Sequence, residues 1–244
     1  MHFLKALNLG KRYGDGPSAV EAVRGIDLRV DRGEFVAVMG PSGSGKSTLL
    51  SMLGALSTPS AGSYTVDGVD LASLDSERLA DFRRESLGFV FQSFHLLPAL
   101  TLLENVMLPL AVSSLSRAEK EARAAEALDR VGLAGKGGRL PSEVSGGEAE
   151  RAAVARAIVN RPPLLLADEP TGNLDSRTGR RVMELLGGLS RDGVTVVMVT
   201  HSDECAHYAH RILHMCDGVI AREEQVRPRQ GSSTETETVA AAAC

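Results

Sequence analysis

Two stretches of this 244-residue chain place backbone and side chains where they could hold phosphate. The first is Gly40-Pro41-Ser42-Gly43-Ser44-Gly45-Lys46-Ser47-Thr48. Its glycines let successive backbone N–H groups converge on one anion, and the apolar helix predicted over Leu49 to Leu56 adds a positive dipole end. Lys46 is a cation within reach of terminal phosphates, and the Ser47 hydroxyl is a hard oxygen ligand suited to Mg²⁺. A strand-like run, Phe35–Met39, precedes the loop, which is the setting this pattern requires. The expectation is a nucleoside triphosphate site. The second stretch, Ser145-Gly146-Gly147-Glu148, opens a helix with a capping box and two glycines, a further anion site that could serve the nucleotide of another copy.

Three other positions fit the same chemistry. Leu164-Leu165-Leu166-Ala167 reads as a buried strand that delivers Asp168 and Glu169 at its C-terminal end, where ligands sit in a parallel sheet. Asp168 suits a magnesium anchor, and Glu169 could polarise an attacking water. His201 follows the apolar run Val194–Val199 on the same sheet edge, where an imidazole can stabilise transition-state charge. Gln92 ends Gly88-Phe89-Val90-Phe91 in the same way. Alone, each has a plainer reading: a solvated turn, a surface histidine, an exposed glutamine, a capped helix. Behind a phosphate loop the chemical readings gain weight.

The elements that must position these residues are those of an α/β protein. Short continuous apolar runs mark central parallel strands. Ile26, Leu28 and Val30 alternate with charged residues, and Val66-Asp67-Gly68-Val69 reads as a tight hairpin, so an antiparallel β layer is expected early in the chain. Ser116-Arg117-Ala118-Glu119 opens a helix ending near Gly132, with Ala118, Ala122, Ala125, Leu128 and Val131 as its apolar stripe. The helix opened at Ser145 should stop at Pro162 and Pro163. A last hairpin is expected at Asp217-Gly218. The stretch from Gly231 to Val239 and the alanines after it read as a disordered tail.

Composition narrows the function classes. A total of 43% apolar residues supports a full core, and 27 Lys+Arg against 31 Asp+Glu leaves a net charge of −4. That balance, with three Tyr, six Phe and no Trp, disfavours a nucleic-acid partner. No apolar run reaches the ~18–20 residues of a membrane span. The first residues lack a secretory pattern, and Cys205, Cys216 and Cys244 have no metal-ligand spacing, so reduced thiols in a cytoplasmic protein are expected. Any membrane role would come through a partner.

Taken in order, the phosphate loop Gly40–Thr48, Gln92, Ser145-Gly146-Gly147-Glu148, Asp168-Glu169 and His201 resemble the motif set of the ATP-binding cassette ATPases, across residues 1 to about 223. Asn173-Leu174-Asp175 matches that family's loop toward the partner subunit, and Tyr13 lies where the family stacks an aromatic on adenine. Gly88–Pro98 running on to Glu104–Leu110, with Thr171–Ser176, resembles the macrolide-exporter, lipoprotein-releasing and antimicrobial-peptide-exporter ATPases. The cell-division ATPase that signals through a membrane partner is similar and stands as the alternative.

The resemblance implies a P-loop NTPase fold with a mostly parallel central sheet, an N-terminal antiparallel β subdomain and a helical subdomain at about 93–160. A single domain over 1–223 and a disordered tail over 224–244 follow. It also implies a head-to-tail dimer around two ATP molecules. Lys46, Ser47, Asp168 and Gln92 of one copy would hold ATP and Mg²⁺, and Ser145 and Gly147 of the other would cap the γ-phosphate. Glu169 would orient the water, and Phe94–Leu100 would meet an integral membrane permease at the cytoplasmic face of the plasma membrane. Val144 replaces the usual Leu, and Ala149 and Glu150 replace usually polar residues. Glu150 is expected to oppose anion binding slightly unless Arg151 pairs with it, slowing turnover.

Overall fold

The computed structural model describes residues 2–228; the stretch from Gly231, and Cys244 with it, lies outside the described residues. The chain runs β1 (Leu4–Tyr13), β2 (Val20–Val30), β3 (Phe35–Met39), α1 (Lys46–Leu53), β4 (Ala61–Val66), β5 (Val69–Asp70), α2 (Ser76–Ser86) and β6 (Leu87–Val90). It continues with α3 (Leu102–Met107), α4 (Arg117–Arg130), α5 (Gly146–Ile158), β7 (Leu164–Asp168), α6 (Ser176–Arg191), β8 (Thr195–Val199), α7 (Asp203–Ala206), β9 (Arg211–Cys216) and β10 (Val219–Gln225).

Two sheets form. The central one has the order β10-β9-β3-β8-β7-β6, parallel throughout except for β10, which returns antiparallel beside β9. The other, β2-β1-β4-β5, is antiparallel. Its β4–β5 connection is the Asp67-Gly68 turn, with both residues in the left-handed region as a type I′ hairpin demands. The same geometry recurs at Asp217-Gly218, between β9 and β10.

The central strands are apolar on consecutive residues because both faces are covered. Phe35, Ala37, Met39, Leu165, Ala167, Val196 and Met198 pack toward the core shared with α3 to α7. Their neighbours Val36, Val38, Leu164, Leu166, Val197 and Val199 pack toward α1 and the antiparallel sheet. A strand's period of two thus builds two cores from one run. Truncating a fully buried leucine such as Leu166 to alanine would cost roughly 2–5 kcal/mol.

Three expectations shift. Helix α1 begins at Lys46 and ends at Leu53, three residues earlier than expected at each end, because Ala55 turns into the left-handed region. The buried stripe of α4 is Ala124, Ala127 and Leu128, continued by Val131. Ala118, Ala122 and Ala125 lie exposed. Strand β10 extends to Gln225, two residues past the expected boundary at 223. Helix α5 is buried on nearly every side, and its core residues include Ala149, Ala152, Ala153, Ala155 and Ala157.

Candidate functional site

Strand β3 leads into the phosphate loop and α1 leaves it. Gly40 and Gly45 both have positive φ, and a Cβ on either would overlap a backbone carbonyl, of Met215 and Ala22 respectively. The loop is therefore wedged between β2 and the β9–β10 hairpin. Gly218 N–H closes that wedge by donating to Ser44 O at 3.1 Å. Lys46 is 5% exposed and its Nζ donates to Gly40 O and Pro41 O, each at 2.9 Å. Burial lowers its pKa, while Glu169 and Asp168 pull the other way. The ammonium thus sits inside the loop facing two carboxylates.

Strand β7 ends at Asp168, and Glu169 takes a positive φ of 47° with its N–H donating to Val199 O. That turn gives two adjacent carboxylates different surroundings. Burial raises the Asp168 pKa, opposed by a hydrogen bond from Ser47 and by the charges of Lys46 and His201. Glu169 faces His201: Oε2 accepts from the His201 backbone N–H at 3.3 Å, and Oε1 lies 3.3 Å from Nε2. Lys46, Ser47, Asp168, Glu169 and His201 therefore form one cluster at the C-terminal edge of the parallel strands. Among the described residues no three His, Cys, Asp or Glu side chains gather as a metal cage. The hydrogen-bonded pair Ser47 and Asp168 suits Mg²⁺, which takes one or two protein oxygens plus phosphates.

The remaining site residues expected from the sequence lie on other parts of the chain. Gln92 sets its side-chain amide against Gly172, 3.2 Å from where a Cβ there would stand, and its carbonyl accepts from Asn173 Nδ2 at 2.9 Å. Ser145 caps α5: its hydroxyl accepts from Glu148 N–H, and Glu148 accepts from Ser145 N–H at 2.8 Å. Ser145 and Gly146 lie open, whereas Gly147 is buried against Thr178, where any Cβ would collide. Asp175 caps α6, and hydrogen bonds led by the Thr178 side chain hold its carboxyl below the usual range. Tyr13, 47% exposed at the end of β1, has Lys11 Nζ 5.1 Å from its ring centre. Ser42, Gly43 and Pro41 are exposed on the loop, and Thr48 is half-buried in α1.

The charge expected of Glu150 near the anion site is not there. Its carboxylate is 1% exposed, buried in the core, and Arg156 rather than Arg151 is the charge that acts on it. Side chains absent from the sequence reading also matter. Asn105 is fully buried and makes four hydrogen bonds to the segment after Gln92: from Leu97 N–H to its Oδ1, and from its Nδ2 to Leu97 O, Leu100 O and Thr101 O. Arg156 donates to Phe94 O at 2.8 Å and His95 O at 2.5 Å. A polar residue inside the apolar stripe of α3 and a cation in an alanine-rich helix were the signals available.

Comparisons with known proteins give the chain its family. Residues 23–172 match the family described as ABC transporter. The chain is 44% identical over 218 residues to the uncharacterized ABC transporter ATP-binding protein YvrO of Bacillus subtilis, covering 89% of this chain and 95% of that one. It is 43% identical over 232 residues to the macrolide export ATP-binding/permease protein MacB of Mannheimia succiniciproducens, covering 95% of this chain. It is 48% identical over 219 residues to the pyoverdine export ATP-binding/permease protein PvdT of Pseudomonas putida, covering 89%. The chain spans only 36% and 33% of the lengths of those two ATP-binding/permease proteins. In structure it resembles the dimeric ATP-binding cassette MJ0796 in a post-hydrolysis state bound to ADP and Pi. The TM-score is 0.84 at 43% identity, over 93% of this chain and 100% of that one. The chain belongs to the ABC transporter family, as one of its ATP-hydrolysing cassettes.

Proposed function

We propose that the chain hydrolyses ATP to drive a membrane permease of the macrolide-exporter or lipoprotein-releasing type, two copies closing head to tail around two ATP molecules. The observation that carries this reading is the cluster of Lys46, Ser47, Asp168, Glu169 and His201 at one sheet edge. The likeness to export cassettes named MacB and PvdT supports the permease type.

In this reading Lys46 leaves the Gly40 and Pro41 carbonyls for the β- and γ-phosphates, and the loop N–H groups bind the remaining oxygens. Ser47, Asp168 and Gln92 hold Mg²⁺, which neutralises phosphate charge. Glu169 accepts a hydrogen bond from the attacking water and aims it, while His201 steadies Glu169 and faces the γ-phosphate. Tyr13 stacks on the base. Ser145, Gly146 and Gly147 of the second copy complete the site, with Asp175 setting the loop between the copies. Closure excludes water from the phosphate and converts binding into motion.

No helix among the described residues is long and apolar enough to cross a membrane. The proposed partner contact is therefore a docking surface after Gln92, with Leu97 48% exposed at its centre. The chain would work at the cytoplasmic face of the plasma membrane, bound through that partner. The test is Glu169→Gln, which keeps shape and a hydrogen-bonding group but removes the charge. With ATP and Mg²⁺ it should elute as a dimer on size exclusion while wild type stays mostly monomeric, and adding Ser145→Arg should dissolve that dimer. A Glu169→Gln chain that hydrolyses at the wild-type rate would sink the reading.

A further inference from the structure

Gln92 begins a segment with neither strand nor helix, and helix α5 grips that segment through one side chain, Arg156. On the same helix, six residues earlier, Glu150 is 1% exposed and neither of its oxygens has a hydrogen-bond partner. Burial pushes its pKa up to about 8, with Arg156 opposing. At neutral pH it is therefore mostly protonated. Burial lowers the Arg156 pKa and Glu150 raises it, but a guanidinium stays charged throughout. Each of the two groups acts on the charge of the other, so they lie within electrostatic reach.

Among the described residues, Arg156 is the charge that acts on Glu150. Of the elements packed against α5, β6 carries no ionisable side chain. Glu104 of α3 is exposed and held by Thr101. The charged residues of α4 are exposed or half-exposed, with Arg117 paired to Glu121, Glu126 to Arg161 and Arg130 to Asp192. Arg177, Arg180, Arg181, Glu184 and Arg191 of α6 are all exposed. On α5 itself Glu148 is paired with Lys136, and Arg151 is half-buried. In the gripped segment His95 is exposed and stands edge-on to Phe91.

We propose that Arg156 is a positioning residue for the Gln92 segment and that the charge on Glu150 governs its grip. With Glu150 neutral, the guanidinium is left to the Phe94 and His95 carbonyls. When Glu150 loses its proton to solvent, a buried carboxylate without a partner is costly, and a charge-assisted pair is stronger than bonds to neutral carbonyls. Arg156 swings to it, and the segment comes loose. The inference rests on the reading that Gln92 serves the ATP site, but its first test does not.

That test is hydrogen exchange on the full chain, following residues 93–96, which Asn105 does not hold, and corrected for the intrinsic effect of pH. Wild type should lose protection roughly tenfold between pH 7 and pH 9, as the neutral fraction of Glu150 falls. Glu150→Gln, equal in shape and never ionised, should keep it. Should that variant fail to fold, Glu150→Met takes its place with the same expectation. Arg156→Lys keeps the charge but loses the fork, so its segment should exchange freely at both pH values. The ATPase rate of wild type relative to Glu150→Gln should fall by about the same factor over the same interval. A Glu150→Gln segment that loosens in step with wild type overturns the proposal, as does wild-type protection in Arg156→Lys. Absence of hydrolysis in every chain would overturn the proposed function, while the exchange result would still decide this one.

Discussion

The phosphate loop and the segment from Gln92 to Thr101 both lack regular structure, yet opposite means hold them. The loop is fixed by backbone: it is wedged between the carbonyls of Ala22 and Met215 and closed by Gly218 N–H. The segment is fixed by three side chains, one from a loop and two from helices: Asn173 at Gln92, Arg156 at Phe94 and His95, and Asn105 from Leu97 to Thr101. A backbone-built site has no intermediate settings, because one Cβ spoils it. A side-chain-tied segment can be released one tie at a time.

The sharpest way to break that contrast is on the loop. Gly45→Ala puts a Cβ into Ala22 O at a φ of 97°, so ATP turnover should fall roughly hundredfold or more. A purified Gly45→Ala chain with near-normal turnover would mean that the backbone wedge does not set the loop.

The segment should fail differently. Asn105→Ala orphans Leu97 N–H and Leu100 O and strips one of two donors from Leu97 O and Thr101 O, so urea denaturation should show a loss of about 3 kcal/mol. ATP turnover of the folded fraction should stay within about threefold, since Asn105 touches none of the cluster around Lys46. Loss of turnover with unchanged stability would invert the comparison.

A smaller effect separates two neighbours in that segment. Leu96 packs against the core, whereas Leu97 is 48% exposed. Leu97→Asp should change stability by only about 0.5 kcal/mol, and Leu96→Asp by several times that. If the proposed permease docks here, Leu97→Asp should also remove its stimulation of hydrolysis.

A further effect of about that size is expected at the start of α5. The hydrogen bond from Lys136, then that from the Ser145 backbone, hold the Glu148 pKa down to about 2. The folded pKa lies below the unfolded one, so this contribution is full above about pH 4.5 and is lost as pH falls toward 2. Ser145→Ala should cost about 1 kcal/mol at neutral pH. The stability difference between wild type and Glu148→Gln should shrink to nothing in acid melts.

The sequence revealed most where causes are local. The phosphate loop, both Asp-Gly hairpins and the caps at Ser116 and Ser145 are set by neighbours within a few residues, and each formed where its pattern stands. The stripe of α4 was misjudged because alanines occur on every face, so periodicity gave little contrast between Ala122 and Ala124. The environment of Glu150 was out of reach for another reason. Sequence spacing favoured its neighbour Arg151, but packing of α5 against three helices and a strand decides which charges stay dry. Strand order, which brings β3 between β8 and β9, is likewise a product of long-range contact.

The alanine face of α5 carries one more consequence. A methyl group has no rotamers, so Ala149, Ala152, Ala153, Ala155 and Ala157 give the helix almost no side-chain freedom with which to absorb a push. A core of leucines could yield by hopping between wells; this one can only slide or stay. Force applied at the Phe94 and His95 carbonyls through Arg156 should therefore arrive at Ser145 as displacement of a stiff rod rather than fade as local rearrangement. The same stiffness makes the helix poorly tolerant of change, since even one added methylene there would cost about 1–3 kcal/mol in overpacking.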